Sequence, residues 1–252
     1  MIFEILFFIY TIYLMEKKIR IFLDETLEEN KEILLGKEQS HYITNVMRLK
    51  MNDEFSLFNG KQGEFVGTVS TQLKKETKIK IYKKLREQSK SSNISLAFCP
   101  PKGSRLDLLI QKCTEVGLKN FIPVISDHTI NRKINTERLN KVIIEACEQS
   151  DQMNIPKLSN SITFGHFASS LDEKDTVLFA DINHKKNNLS ELLSEKKNNF
   201  ILFIGPEGDF SSQERDQIKM NSKFKSFSLG ANILRSETAA ISGLVLLNFL
   251  LT

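Results

Sequence analysis

Two short runs near the C-terminus carry residue types suited to holding a ligand. The first is Gly205-Pro206-Glu207-Gly208-Asp209-Phe210, which follows the apolar run FILFI and precedes Ser211 and Glu214 at capping-box spacing. Its glycines allow close backbone approach and positive φ, Pro206 stiffens the turn, and Glu207 supplies one fixed negative charge. The second is Leu229-Gly230-Ala231-Asn232-Ile233-Leu234-Arg235-Ser236-Glu237-Thr238-Ala239, which leads into a final apolar segment. Ser236 or Thr238 as N-cap, with Glu237 favoured by the helix dipole, explains most of that helix start without any ligand. Arg235 does not fit the same account. A cation is disfavoured at a helix N-terminus, so its position points to an anionic or carbonyl-rich ligand. A plain strand-to-helix turn explains either run alone; the pair, in this order and spacing, is specific.

The segments around these runs predict a chain in two parts. From Lys18 to about Leu85 the pattern is short alternating strands: IRIFL, a hairpin around Asn59-Gly60, and TKIKIYKKL. One helix, beginning near Lys37 and carrying His41, Val46 and Arg48, interrupts them, so a small β-rich barrel is expected. The polar run Glu87–Asn93 reads as a linker. Beyond it, strands alternate with helices. The strand runs are 94–100, 121–126, 175–181, 200–205 and 224–230. The helices span Leu106–Val116, a segment capped by Thr136 and ending near Ser150, Ser211 to about Asn221, and Ser236 to about Leu250. This alternation implies an α/β fold, a parallel sheet with helices on both faces. The last helix is apolar almost all round and must be buried by the core or by a partner subunit.

Composition narrows the class. The chain has 252 residues, 40% hydrophobic and 26% charged, as in a soluble globular protein. Cys99, Cys113 and Cys147 are distant from one another and odd in number, which fits a reducing, cytoplasmic setting and no disulfide framework. No Cys/His pair has metal-ligand spacing, so no metal is expected. Residues 17–90 hold 16 Lys and Arg against 11 Asp and Glu, whereas residues 91–252 hold 19 against 18. The basic excess of the first part is a modest footprint for a polyanion, and a lysine-rich solvated surface explains it equally well. Met1–Leu14 is apolar but shorter than the roughly 20 residues of a membrane helix, carries Glu4, and has no basic n-region. Residues 1–16 therefore read as an extension or a start-site artefact, with Met15 opening a conventional soluble start.

With these motifs in view, the chain resembles the 16S rRNA uracil-N3 methyltransferases of the SPOUT class. The resemblance runs from Lys18 onward. Arg20, His41…Val46-Met47-Arg48, Asn59-Gly60 and Phe65 are similar to that family's N-terminal barrel, which is PUA-like. Lys102-Gly103, Ile110-Gln111-Lys112 and Glu115-Val116-Gly117 resemble the opening of its catalytic domain, Glu145–Gln149 with Ile155-Pro156 its middle, and the two C-terminal runs its donor loops. The resemblance implies a PUA-like RNA-binding β-barrel over 17–86 and a SPOUT-type parallel sheet with a C-terminal trefoil knot over 91–252, acting as a homodimer. It implies S-adenosyl-L-methionine against Phe179, Ala180, Gly205, Pro206, Glu207, Gly208, Leu229, Gly230, Ile233, Leu234, Thr238 and Ala239. The partner it implies is 16S rRNA of the small ribosomal subunit, with Arg20, Arg48, Lys102 and Arg105 as phosphate contacts.

Uracil N3 lies on the Watson–Crick edge, so such an enzyme needs an unpaired or extruded uridine, together with positioning and stabilisation of negative charge on the base carbonyls. Arg235 is the candidate for the carbonyl contact; Glu207 and Glu237 are candidates for the proton. The chain departs from many relatives at Asp151, Gln152 and Asn154, and at Ala231-Asn232, where arginines or a Pro-Arg pair are usual. These changes touch RNA-facing charge and leave the donor loops intact. A Rossmann-type methyltransferase is disfavoured, since PKGSR rather than a glycine-rich loop follows ISLAFCP. A non-catalytic RNA-binding protein, or an enzyme acting on tRNA or another rRNA nucleotide, are the rivals. Donor binding separates the first from an enzyme.

Overall fold

The computed structural model describes residues 19–72, 76–185, 189–194 and 199–251. The chain divides into two compact units, residues 1–89 and 90–252. The expected extension over residues 1–16 lies outside the described residues.

The first unit is a curled five-stranded sheet. Its strands are β1 (Arg20–Phe22), β2 (Glu32–Leu35), β3 (Glu54–Phe58), β4 (Glu64–Gln72) and β5 (Thr77–Arg86), in the order β1-β3-β4-β5-β2. Among the described residues of this unit only the β1–β3 pairing is parallel. Alternation puts Phe55, Leu57, Ile79 and Ile81 into one core with Ile21 and Ile43. The β3–β4 hairpin turns where the Asn59 side-chain oxygen accepts from Lys61 N (3.0 Å) and Gln62 N (2.9 Å), with Gly60 at φ 76°. Three register shifts bend β4 against β5.

Two expectations for this unit are corrected. The helix near Lys37 is only α1 (Lys37–His41), continued by a π-helical turn over Tyr42–Val46, and Arg48 lies beyond it in a left-handed conformation (φ 57°), exposed. Arg20 is not a surface cation. It is 7% exposed, its Nε donates to Glu64 Oε1 (2.9 Å), and its guanidinium sits 4.5 Å above the Phe58 ring. Arg86 holds the other Glu64 oxygen. A buried carboxylate needs such partners, and Arg20 supplies one of them.

The second unit is a three-layer α/β domain. Its elements are β6 (Ile94–Phe98), α2 (Ser104–Val116), β7 (Asn120–Ile125), α3 (Thr136–Gln149), β8 (Lys157–Leu158), β9 (Ile162–Thr163), α4 (Phe164–Ser169), β10 (Asp175–Ala180), α5 (Leu189–Ser194), β11 (Asn199–Ile204), α6 (Ser212–Met220), β12 (Phe224–Phe227) and α7 (Ser236–Leu251). Strand order is β12-β10-β11-β6-β7-β8, every neighbour parallel, with β9 also on β7. The central strands are buried on both faces, which is why they read as unbroken apolar runs. Ile201 and Phe203 of β11 pack into a cluster with Phe164, Phe167, Phe210 and Ile218. Leu202, pointing the other way, meets α7 at Gly243, where an added Cβ would lie 2.8 Å from Leu202 Cδ2.

Helix caps explain the boundaries. Asn135, not Thr136, caps α3: its side chain accepts from Arg138 N (3.0 Å). Ser211 and Glu214 form both arms of the capping box on α6. α7 starts at Ser236, and Ala239 N donates to the Arg235 carbonyl (2.8 Å), so neither Ser236 nor Thr238 stands in the capping position. Ala240, Leu244 and Leu247 bury one face of α7, while Val245, Leu246, Phe249 and Leu250 on its other side are exposed, Phe249 by 77%. Among the described residues no helix is long and apolar enough to cross a membrane.

Candidate active site

Parallel strands end on one side of a sheet, and ligands bind among the loops there. Three of those loops build a cleft of about 370 Å³: the one after β10, the one after β11, and the one joining β12 to α7.

The loop after β11 is held tightly. Asp209 N donates to the Pro206 carbonyl (3.1 Å), and the left-handed residue is Asp209 (φ 59°), not Gly205 or Gly208. Gly205 is needed for a different reason than torsional freedom. A Cβ there would lie 2.6 Å from the Phe210 ring, which is packed among Phe164, Phe179 and Phe203. The β7 loop braces the same turn from the side. His128 Nδ1 lies 2.8 Å from the Asp209 carbonyl and 3.2 Å from that of Gly208, Asp127 N donates to Glu214 Oε1 (3.0 Å), and Ser211 Oγ donates to Asp127 (2.7 Å).

Charge is paired inside the cleft. Arg215, on the first turn of α6, donates to both Asp181 oxygens (3.0 Å each) and to Asp209 (2.6 Å), with its guanidinium 5.6 Å from the Phe179 ring. Burial opposes the Arg215 charge, but hydrogen bonds to Asp209 and Asp181 and their attraction outweigh it and hold its pKa above the usual arginine range. Arg105, at the start of α2, forms an ion pair with Glu207. It was expected to meet phosphate; instead its charge is offset by a carboxylate at the cleft wall.

Of the residues singled out by sequence, Arg105, Phe179, Ala180, Gly205, Pro206 and Glu207 line the cleft, as do Ile233, Leu234, Arg235 and Ala239. Leu229 and Gly230 line an adjoining recess that shares Ala180, Leu234 and Ala239 with it. Gly208 and Thr238 line neither. Glu237 is 6% exposed, does not line the cleft, and has Oε2 buried without a hydrogen-bond partner among the described residues. Lys102 lines a smaller recess next to the cleft. The residue that sequence reasoning missed is Arg215. Its one signal was the capping box, which places it a single turn beyond the loop. Among the described residues no three His, Cys, Asp or Glu side chains gather as a metal site.

Known proteins share this arrangement. A family described as the RNA methyltransferase domain matches residues 87–248, and one described as the RNA methyltransferase PUA domain matches residues 35–82. The ribosomal RNA small subunit methyltransferase E of Rickettsia conorii is 34% identical over 228 residues, covering 89% of this chain and 93% of that protein. The chain belongs to the ribosomal RNA small subunit methyltransferase E family. The family member of the same name from Buchnera aphidicola is 31% identical, covering 89% of this chain and 91% of its own. The crystal structure of the Neisseria gonorrhoeae family member bound to S-adenosyl methionine superposes with a TM-score of 0.80 at 26% identity, over 92% of this chain and 98% of that one. Family membership gives the two-unit architecture its meaning: a PUA domain followed by an RNA methyltransferase domain.

Proposed function

We propose that this chain transfers a methyl group from S-adenosyl-L-methionine to N3 of one specific uridine in 16S rRNA of the small ribosomal subunit. One observation carries the reading: the two glycine-containing C-terminal loops, far from remarkable singly, converge on one cleft in a member of this family. The cleft suits the donor. Its volume falls within the range of small-molecule sites. Phe179 and Phe210 offer apolar and aromatic surface on which a sulfonium can rest, and the carboxylates of Asp181, Glu207 and Asp209 offset the charges of Arg215 and Arg105 beside it. When bound, S-adenosylmethionine supplies an electrophilic methyl carbon. The chain's own residues then have three tasks. Gly205, Pro206 and Glu207, Leu229, Gly230, Ile233 and Leu234, with Phe179, Ala180 and Ala239, hold the donor, while Gly208 and Thr238 stand back from it. Arg235, exposed at the cleft, meets a carbonyl of an extruded uracil and steadies the charge that grows there when N3 loses its proton. Glu207 lines the cleft and Glu237 does not, which favours Glu207 of the two for receiving that proton.

In this reading residues 17–86 are the PUA-like RNA-binding unit, with exposed Arg48 as a phosphate contact, and residues 91–252 the catalytic unit, whose C-terminal loops form the SPOUT knot. The exposed apolar strip of α7, Val245, Leu246, Phe249 and Leu250, is the core of a homodimer interface. The protein works in the cytoplasm, where its rRNA is. Two measurements test the reading together: calorimetric titration with S-adenosylmethionine, and mass mapping of small-subunit rRNA from a strain lacking the protein. Binding, with loss of one methyl from one uridine, is expected; an unchanged methylation map would reject the substrate.

A further inference from the structure

Next to the cleft, at the same end of the sheet, is a recess of about 20 Å³. Lys102 of the β6 loop and His128, Thr129 and Ile130 of the β7 loop line it, and Pro206, Glu207 and Ser236 are shared between it and the cleft. A group seated in the recess is therefore separated from a donor in the cleft by those shared side chains alone. The volume admits one oxygen-sized group and no ring. Ile130 stands at it, 71% exposed, and Lys102 is the cation on its wall. The other charged groups around Lys102 are already engaged. Arg105 and Glu207 are paired with each other, Asp127 accepts from Ser211, and the Nδ1 edge of His128 is turned to the Gly208 and Asp209 carbonyls.

We infer that this recess is the acceptor subsite: one carbonyl oxygen of the target base inserts toward Lys102 while the ring lies on Ile130. This rests on the methyltransferase reading above and names the residue that reads the base. In uracil both carbonyls flank N3, so seating either one leaves N3 at the next position along the same edge, facing Glu207 and the cleft. The step balances. The N3–H proton passes to the Glu207 carboxylate, the N3–C bond forms as the methyl C–S bond breaks, and that bond's electron pair stays on sulfur. Negative charge on the deprotonated base is shared with its carbonyls, where the Lys102 ammonium stabilises it. Lys102 is then a catalytic residue rather than a phosphate contact.

The test is Lys102→Met and Lys102→Arg in the full chain. Methyl transfer would be followed to small ribosomal subunits from a strain lacking the protein, beside calorimetric titration with S-adenosylmethionine. Lys102 is exposed, so both variants fold. For K102M the expectation is a fall in kcat of about 10²-fold, with donor Kd unchanged. The rising limb of the pH–rate profile moves to higher pH, because N3 ionises less readily. K102R recovers part of the rate. Unchanged kcat, with only a weaker, less salt-dependent KM, would overturn the inference and return Lys102 to the phosphates. A wild-type protein that binds no donor would overturn the methyltransferase reading itself.

Discussion

Replacing Gly205 by alanine isolates the packing that shapes the cleft. The added methyl would lie 2.6 Å from Cε2 and 3.1 Å from Cζ of Phe210, well inside van der Waals contact. Phe210 cannot turn aside cheaply, because its ring has Phe203, Phe164 and Phe179 at centroid distances of 5.4, 5.6 and 5.6 Å. Either the aromatic cluster or the Pro206–Glu207 turn must move. Overpacking of this kind costs about 1–3 kcal/mol. For a chain of this length that lowers Tm by roughly 2–12 °C. If the turn is what moves, Pro206 and Glu207 leave the cleft wall and donor Kd weakens about tenfold, about 1.4 kcal/mol. Gly208→Ala is the control: its methyl would meet His128 Cβ at 3.5 Å, ordinary contact, and should be close to neutral. Scanning calorimetry and donor titration read both quantities. Equal effects of G205A and G208A, or no effect of G205A, would refute the packing argument.

Three further outcomes are expected. Arg235→Ala should lower kcat by about 10²-fold while leaving donor Kd and Tm near wild type, since the side chain is exposed at the cleft; a large change in Kd instead would make it a donor ligand. Phe249→Asp should convert a dimer to a folded monomer by light scattering, because it puts a charge into the exposed apolar strip of α7; an unchanged mass would move the interface elsewhere. Burial pushes the Cys99 thiol up from 9.0 to about 11, with hydrogen bonds from Ser126 and Thr129 working against the rise, and burial alone pushes Cys113 up as well. The folded protein should therefore resist iodoacetamide at pH 8. A raised acid pKa favours the folded state below the unfolded value and loses that contribution above it, so the Cys99 share of stability should vanish between pH 9 and about 11. Fast alkylation of both thiols in the native state would contradict their burial.

What could be read from the residues in order was whatever they encode locally. β6, β10 and β11 were legible because strands buried on both faces must be apolar throughout. The capped start of α6 was legible because Ser211 and Glu214 satisfy its first N–H groups with their own side chains. Arg235 stood out because it violates a local electrostatic rule. Pairings between distant residues were not legible. Arg20 looked like a surface cation because Glu64, its partner, is 44 positions away. Nothing near Arg215 in the chain marks it, because its partner Asp181 lies 34 positions back on another strand's loop. Gly205 was credited with torsional freedom, but its role is set by an aromatic ring that the sequence cannot orient. β2 escaped notice because four residues, EILL, fit a helix as readily as a strand.

The sheet order has a consequence for synthesis. β11 sits between β10 and β6, joining strands that begin 81 residues apart, and α7 packs on α2 from the other end of the domain. A nascent chain lacking its last helix thus has all its strands but leaves Leu202 of the central strand uncovered and the cleft without its Ser236 and Ala239 wall, and such long-range packing is slow to form. Newly made protein should stay catalytically silent until α7 has docked, and a frameshift before Ser236 should remove activity rather than leave a weakened enzyme.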